Sequence, residues 1–295
     1  MKNLLKLLRP KQWIKNMFVF IPLFFSGNIT DIECLCRSIV AFVVFSLASG
    51  SIYIFNDYFD IEADREHPKK RLRPLASGAV SIASALVLFL AILVACIALI
   101  LMIQYVYNVN VFEFSLVILA YFMLNVLYTI KLKHIAIVDV FIIAIGFVLR
   151  VFAGGFLSDI YVSQWTILLT FALAMVLAIG KRREELILSQ VNGNKTRKAL
   201  NGYNKQFTDV ALSISCTLAI ICYIMFTLSP EVQQKFHDRV YFTVLFVIFG
   251  FLRYLQQTLV YNRAESPTMI AYKDRYIQVT LILWFAVFLL QIYMK

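Results

Sequence analysis

The sequence predicts an all-α fold, a polytopic membrane protein built as a single bundle of about nine transmembrane helices. Composition is the first reason. Of the 295 residues, 61% are apolar and 15% charged, with a mean hydropathy of +0.79, whereas a soluble domain is about 45–50% apolar and about 25% charged. The second reason is that apolar runs recur along the whole chain, separated by short polar stretches; a hydrocarbon core about 30 Å thick needs about 20 such residues in a helix. The third is that Lys and Arg crowd into every second connection. Together these exclude an ordinary soluble fold.

Backbone groups in lipid have to be satisfied within their own segment, so each apolar run reads as a helix. The spans fall at 14–28, 38–56, 82–104, 112–129, 135–154, 165–181, 209–228, 240–260 and 276–293. The first is short and carries Pro22; with basic residues before it and Ser26-Gly27 after it, it also has the outline of a signal-peptide core. Its long aromatic flank, Lys11-Gln12-Trp13-Ile14-Lys15, favours a retained membrane segment.

Charge sets the expected orientation. Lys and Arg number five at the amino terminus, five after the second span, two after the fourth (Lys131 and Lys133), seven from Lys181 to Lys205 and three from Arg263 to Arg275. The opposite side holds only Arg37, Lys235, Arg239 and Lys295. A split of 22 to 4 puts the amino terminus and the basic loops in the cytoplasm and the carboxyl terminus outside, in a protein of the inner cell membrane. It also accounts for most of the net charge of +11 without a nucleic-acid partner. The five Cys form no CxxC pair and have no His at ligand spacing, which argues against zinc and against a disulfide framework. With no repeat and no long linker, residues 1–295 read as one membrane domain.

The most informative segment ends the second span. Five of the 17 acidic residues lie in Asn56-Asp57-Tyr58-Phe59-Asp60-Ile61-Glu62-Ala63-Asp64-Arg65-Glu66. At about 100° per residue, Asn56, Asp57, Asp60 and Asp64 share one arc of a helix. Carboxylates at a helix carboxyl terminus oppose the macrodipole and need counter-charge. Pairing with Arg65, Lys69, Lys70 or Arg71, or plain solvation, would supply it. Hard oxygen ligands on successive turns also suit Mg²⁺, which takes one or two carboxylates and completes its octahedron with water and substrate phosphates. The basic run His67-Pro68-Lys69-Lys70-Arg71-Leu72-Arg73-Pro74 follows at once. An anion gripped by metal on one side and by Arg71 and Arg73 on the other would use both clusters.

Asn56-Asp57-x-x-Asp60-x-x-x-Asp64, followed by Arg71-x-Arg73-Pro74 and Ser77-Gly78, resembles the first aspartate motif of the UbiA-type intramembrane prenyltransferase superfamily. Arg9-Pro10-Lys11-Gln12-Trp13-Ile14-Lys15-Asn16 and Asp64-Arg65-x-His67-Pro68 are most similar to its decaprenyl-phosphate phosphoribosyltransferase branch. The resemblance implies Mg²⁺-dependent transfer of 5-phosphoribosyl from phosphoribosyl diphosphate to a polyprenyl phosphate, with release of diphosphate. It implies Asp57, Asp60 and Asp64 as catalytic metal ligands, the metal held by Asp57 and Asp60, with Asp64 direct or through water. It also implies Asn56 as a substrate-binding residue, with Gln12, Lys15 and Asn16, at the mouth before the first span, as candidate contacts to one of the phosphates.

Members of the superfamily usually carry a second aspartate pair, DxxxD. This chain departs from that pattern: between Tyr128 and Arg150 its only acid is Asp139. The departure fits a donor that is not a prenyl diphosphate, with Tyr128, Lys131 and Lys133 available for phosphate contacts. Asp139 and Arg150 stand eleven residues apart, nearly on one helix face about 16 Å apart along the axis, and are expected to line the cavity; Arg150 could instead snorkel outward. Arg253 reads as snorkelling. Lys181 and Arg182 close the sixth span, where cations suit the helix dipole, and the resemblance places them beside the substrate. His67 and His134 read as loop residues, and the 26 Phe and 15 Tyr as lipid contact and interfacial belt.

Two other functions compete. A prenyltransferase moving a prenyl group from its diphosphate to an aromatic acceptor shares the first motif but lacks a reason for the missing second pair. A transporter would keep charges near the midplane of broken helices, whereas here they gather at one membrane face.

Overall fold

A computed structural model describes residues 2–66, 70–192, 198–236, 238–261 and 267–293. Among these residues every regular element is helical. In chain order they are α1 (Lys2–Leu7), a 3₁₀ segment (Pro10–Phe20), α2 (Ile21–Ser26), α3 (Ile32–Phe59), α4 (Ile61–Glu66), α5 (Ile82–Tyr107), α6 (Phe112–Ile130), α7 (Val138–Ser158), α8 (Gln164–Asn192), α9 (Lys205–Thr227), α10 (Pro230–Phe236), α11 (Val244–Leu255), α12 (Pro267–Lys273) and α13 (Arg275–Tyr293). Of the described helices, seven are long and apolar enough to cross a membrane, the last of them Arg239–Val260 around α11. The α12–α13 pair, bent by 87°, makes an eighth if taken as one broken span.

The expected ninth, 14–28, is not one regular helix. Pro22 has no N–H, so the carbonyl of Phe18 takes its bond from Ile21 instead, an i→i+3 closure that keeps the turn tight. A 3₁₀ run of 11 residues is far longer than the usual three or four. At about 2.0 Å per residue it is also longer than an α-helix of equal count, so residues 10–26 trace a contour of about 31 Å. The segment is short in residues rather than in reach.

Caps explain why two helices begin outside their apolar runs. The Asp31 carboxylate accepts from the N–H groups of Glu33 (2.9 Å) and Cys34 (3.2 Å), starting α3 at residue 32 rather than 38. Asn204 does the same for α9, which starts at 205 rather than 209, and Ser81 caps α5 where its apolar run begins. The helix that carries the sixth expected span, 165–181, outruns it. α8 continues for another eleven residues to Asn192, so Lys181, Arg182 and Arg183 sit mid-helix and the dipole explanation for them fails.

The chain forms two compact units. The first comprises Met1–Leu132 and Leu149–Val162, the second Lys133–Val148 and Ser163–Lys295, so α7 contributes one end to each. In the first unit α3 packs on α5, α6 and the 3₁₀ segment, around Leu7, Val19, Phe45, Ile103 and Phe114. Lipid is as apolar as Leu, so close backbone approach matters more there than burial from water. Gly154 shows it: a Cβ would fall 1.8 Å from the Val19 carbonyl oxygen, so only glycine lets the 3₁₀ segment lie on α7. Leu86, Leu90, Val94, Ile97 and Leu101 leave one face of α5 exposed, the lipid-facing stripe that a membrane helix requires. In the second unit α8 and α9 form the principal helix pair, with Ile179, Leu212, Cys216 and Ile270 at its core.

Candidate active site

The acidic segment crosses a bend rather than a break. Asp60 ends α3, yet its N–H still bonds the Asn56 carbonyl (3.0 Å) and its own carbonyl receives the N–H of Asp64 (2.8 Å), so helical hydrogen bonding passes from α3 into α4. Seven residues of straight helix would separate Asp57 from Asp64 by about 10 Å of rise. Here a single nitrogen joins them: Arg73 Nη1 lies 3.2 Å from Asp57 Oδ1 and 2.5 Å from Asp64 Oδ2. Arg9 Nη2 donates to the same Asp57 oxygen, and Lys70 Nζ stands 4.0 Å from Asp64 Oδ1.

Both carboxylates are almost sealed, at 2% exposure, while the side chains of Arg9 and Arg73 remain 28% and 27% exposed. The Arg9 guanidinium also lies over the Tyr53 ring, 4.9 Å from its centroid. Asn56 accepts from the Thr129 hydroxyl, which ties this end of α3 to α6. Asp60 is half-buried and Arg71 exposed. Lys69, with His67 and Pro68, lies outside the described residues.

No three His, Cys, Asp or Glu side chains gather tightly enough to cage an ion among the described residues. Two hard carboxylates do converge on a cation, and Mg²⁺ requires no more than that when phosphate and water supply the other positions. The residues therefore fit the ion, and the two carboxylates seen on one cation are those of Asp57 and Asp64.

Deeper in the first unit, Arg150 does not snorkel. It is 6% exposed; its Nε donates to Asn16 Oδ1 (2.8 Å), its Nη2 to the Tyr121 hydroxyl (3.1 Å), and its guanidinium lies 4.9 Å from the Phe45 centroid and 5.0 Å from that of Tyr121. Asn16 in turn donates to Ser46 Oγ (2.9 Å) and Ser49 Oγ (3.3 Å). Asn16 is thus a buried strut rather than a residue at the mouth, while Lys15 is exposed and Gln12 half-buried.

In the second unit Asp139 is fully enclosed. Its Oδ2 is 2.8 Å from Arg182 Nε and its Oδ1 accepts from the Tyr203 hydroxyl at 2.7 Å. That hydroxyl also accepts from the N–H of Ile137 (2.7 Å), a β-branched residue held at φ +70°. Burial, then the bond to Asp139, raises the Tyr203 phenol well above its ordinary range. Arg182 also pairs with Glu185, and Arg183 Nε with Asp209 Oδ1 at 2.5 Å. Asp139 and Arg150, expected along one cavity wall, lie in separate units, each surrounded by side chains. Lys181 and Lys131 are exposed; Lys133 and Tyr128 are half-buried. Arg253 is no snorkel either: its Nη2 pairs with Asp274 at 2.9 Å, and Asp274 caps α13 through the N–H of Ile277.

Residues 17–286 match the UbiA prenyltransferase family. The chain belongs to that family. It is an integral membrane protein. It is 34% identical to the decaprenyl-phosphate phosphoribosyltransferase of Mycolicibacterium smegmatis, over 96% of this chain and 90% of the relative. It is 31% identical to the enzyme of the same name from Corynebacterium glutamicum, over 99% and 87%. Among solved structures, a UbiA homologue from Archaeoglobus fulgidus bound to DMAPP and Mg²⁺ superposes with a TM-score of 0.68, covering 98% of this chain and 99% of the other at 18% identity. This UbiA-family fold brings in four groups that motif reading did not select: Arg9, Thr129, Tyr121 and Tyr203. Arg9 had one signal, its place just before the Pro10-Lys11-Gln12-Trp13 segment; nothing local marks the other three.

Proposed function

We propose that this protein transfers the 5-phosphoribosyl group of phosphoribosyl diphosphate to a polyprenyl phosphate, releasing diphosphate. The observation that carries the reading is the convergence of Asp57 and Asp64 on one cation, Arg73, with Arg9 beside it at a helix end. Such a set suits a donor whose leaving group is a diphosphate. The relatives named as decaprenyl-phosphate phosphoribosyltransferases, 31–34% identical over nearly the whole chain, support that choice of donor and acceptor. Asp139, the one acid between Tyr128 and Arg150, is paired with Arg182 and Tyr203, which supports a donor held by one aspartate motif.

Asp57 and Asp64, with Asp60 beside them, would hold Mg²⁺; the fold relative solved with DMAPP and Mg²⁺ supports a divalent ion. Bound there, the ion would neutralise charge building on the departing diphosphate. Arg73, Arg71 and Lys70 supply fixed positive charge to the same oxygens. The bond from the ribose C1 to the diphosphate oxygen breaks, that oxygen keeps the electron pair, and a new bond forms from C1 to an acceptor phosphate oxygen. The acceptor is already anionic, so no proton has to be removed and no general base is needed. Gln12, Lys15 and Lys131 are the further candidates for phosphate contact. Charge asymmetry supports an active site and amino terminus in the cytoplasm and a carboxyl terminus outside, in the inner membrane.

The test uses purified protein in detergent with Mg²⁺, labelled phosphoribosyl diphosphate and decaprenyl phosphate. Label should enter the lipid phase, vanish with a chelator, and fall by about 10²–10³-fold in Asp57→Asn. Turnover only of a prenyl diphosphate with an aromatic acceptor refutes the reading.

A further inference from the structure

Asp57 and Asp64 are too enclosed to rely on water, so in its charged form each needs a cation beside it. In this structure the chain supplies that cation itself: Arg73 serves both carboxylates and Arg9 adds to Asp57. Yet the two arginines are over a quarter exposed and free to turn toward solvent, while the carboxylates are not. Arg9 is the more separable of the two. It enters from the amino-terminal segment at φ 48°, 48 positions from its partner, and belongs to neither α3 nor α4.

We propose that Arg9 and Arg73 are exchangeable counter-cations: they compete with the divalent ion for Asp57 and Asp64, and the polyanionic donor relieves that competition by drawing the arginines to its own oxygens. The free protein then binds metal weakly, and metal and donor bind as a cooperative pair. Linkage makes the effect reciprocal, since whatever loosens the arginines from the carboxylates raises metal affinity by the same factor. An arginine that only braces the fold would behave differently; its loss would weaken metal and donor together. The identity of the anion rests on the proposed function, but the competition does not.

The experiment titrates Mn²⁺ into the purified full-length protein in detergent without donor, following free Mn²⁺ by electron paramagnetic resonance. Arg9→Gln should bind Mn²⁺ about tenfold more tightly than the parent, within the range usual for coupled sites, while its KM for phosphoribosyl diphosphate rises. Arg9→Lys, which keeps the charge, should restore both values toward the parent's. Arg73→Gln should move Mn²⁺ affinity in the same direction and carries the test if Arg9→Gln does not yield folded protein. Unchanged or weaker Mn²⁺ binding in these variants overturns the proposal. A parent protein inactive on phosphoribosyl diphosphate, with tightened Mn²⁺ binding in Arg9→Gln, refutes the function and leaves the exchange standing. An active parent with flat Mn²⁺ affinity across the variants does the reverse.

Discussion

The acidic end of α3 and the start of α7 both bring arginine to buried aspartate, and they differ in which partner sees water. At Asp57 and Asp64 the carboxylates are sealed and the arginines part-exposed. At Asp139 both members are closed, with 0% exposure for the carboxylate and 2% for the Arg182 side chain. A guanidinium that can return to solvent can be replaced by another cation at modest cost. One that is enclosed cannot leave without stranding a charge. The first arrangement suits a site that exchanges ligands; the second suits a joint that holds a strained turn at Ile137 in place through Tyr203.

The contrast breaks most sharply on stability. Asp139→Ala should take one carboxylate from the buried Arg182, which keeps Glu185, leave the Tyr203 hydroxyl without its acceptor, and lower stability by about 3 kcal/mol, read as a fall in thermal midpoint in detergent. Asp57→Ala should cost no more than about 1 kcal/mol, because Arg9 and Arg73 can turn to water. Equal losses in the two variants would erase the distinction. A smaller effect is expected at the hydroxyl between the two halves of the joint. Tyr203→Phe leaves the Ile137 N–H and an Asp139 oxygen without their partner, a loss of about 1–3 kcal/mol. Amide exchange at Ile137 should quicken, while Asn56 to Asp64 stay as protected as before.

The smallest expected effect lies at the far end of α3. The N–H of Cys34, then that of Glu33, lowers the Asp31 carboxyl below its usual 3.8. A carboxyl depressed in the folded state stabilises it above the unfolded value and loses that contribution as pH falls through the folded value. Acidification below about pH 4 should therefore erode the parent more than Asp31→Ala, and the two should converge in acid. A constant gap down to pH 2 would show that the cap acts without its charge.

Much of the molecule is legible along the chain. Apolar length and loop charge identify a membrane bundle, and the helical arc of Asn56, Asp57, Asp60 and Asp64 marks the metal-binding candidates before any fold is known. What misleads is local reading at ends and irregularities. Pro22 hides a segment whose 3₁₀ rise makes it longer than it looks, and the cations at 181–183 imitate a helix terminus although α8 runs on.

Composition and periodicity are properties of neighbouring residues, so the sequence alone determined the membrane class, the approximate spans and the acidic face. Which cation meets which carboxylate was decided only by the tertiary structure. Arg9 reaches Asp57 across 48 positions, Arg150 reaches Asn16 across 134, and one nitrogen of Arg73 joins Asp57 to Asp64. Such pairings follow from where the chain returns on itself, and residue spacing holds no record of that.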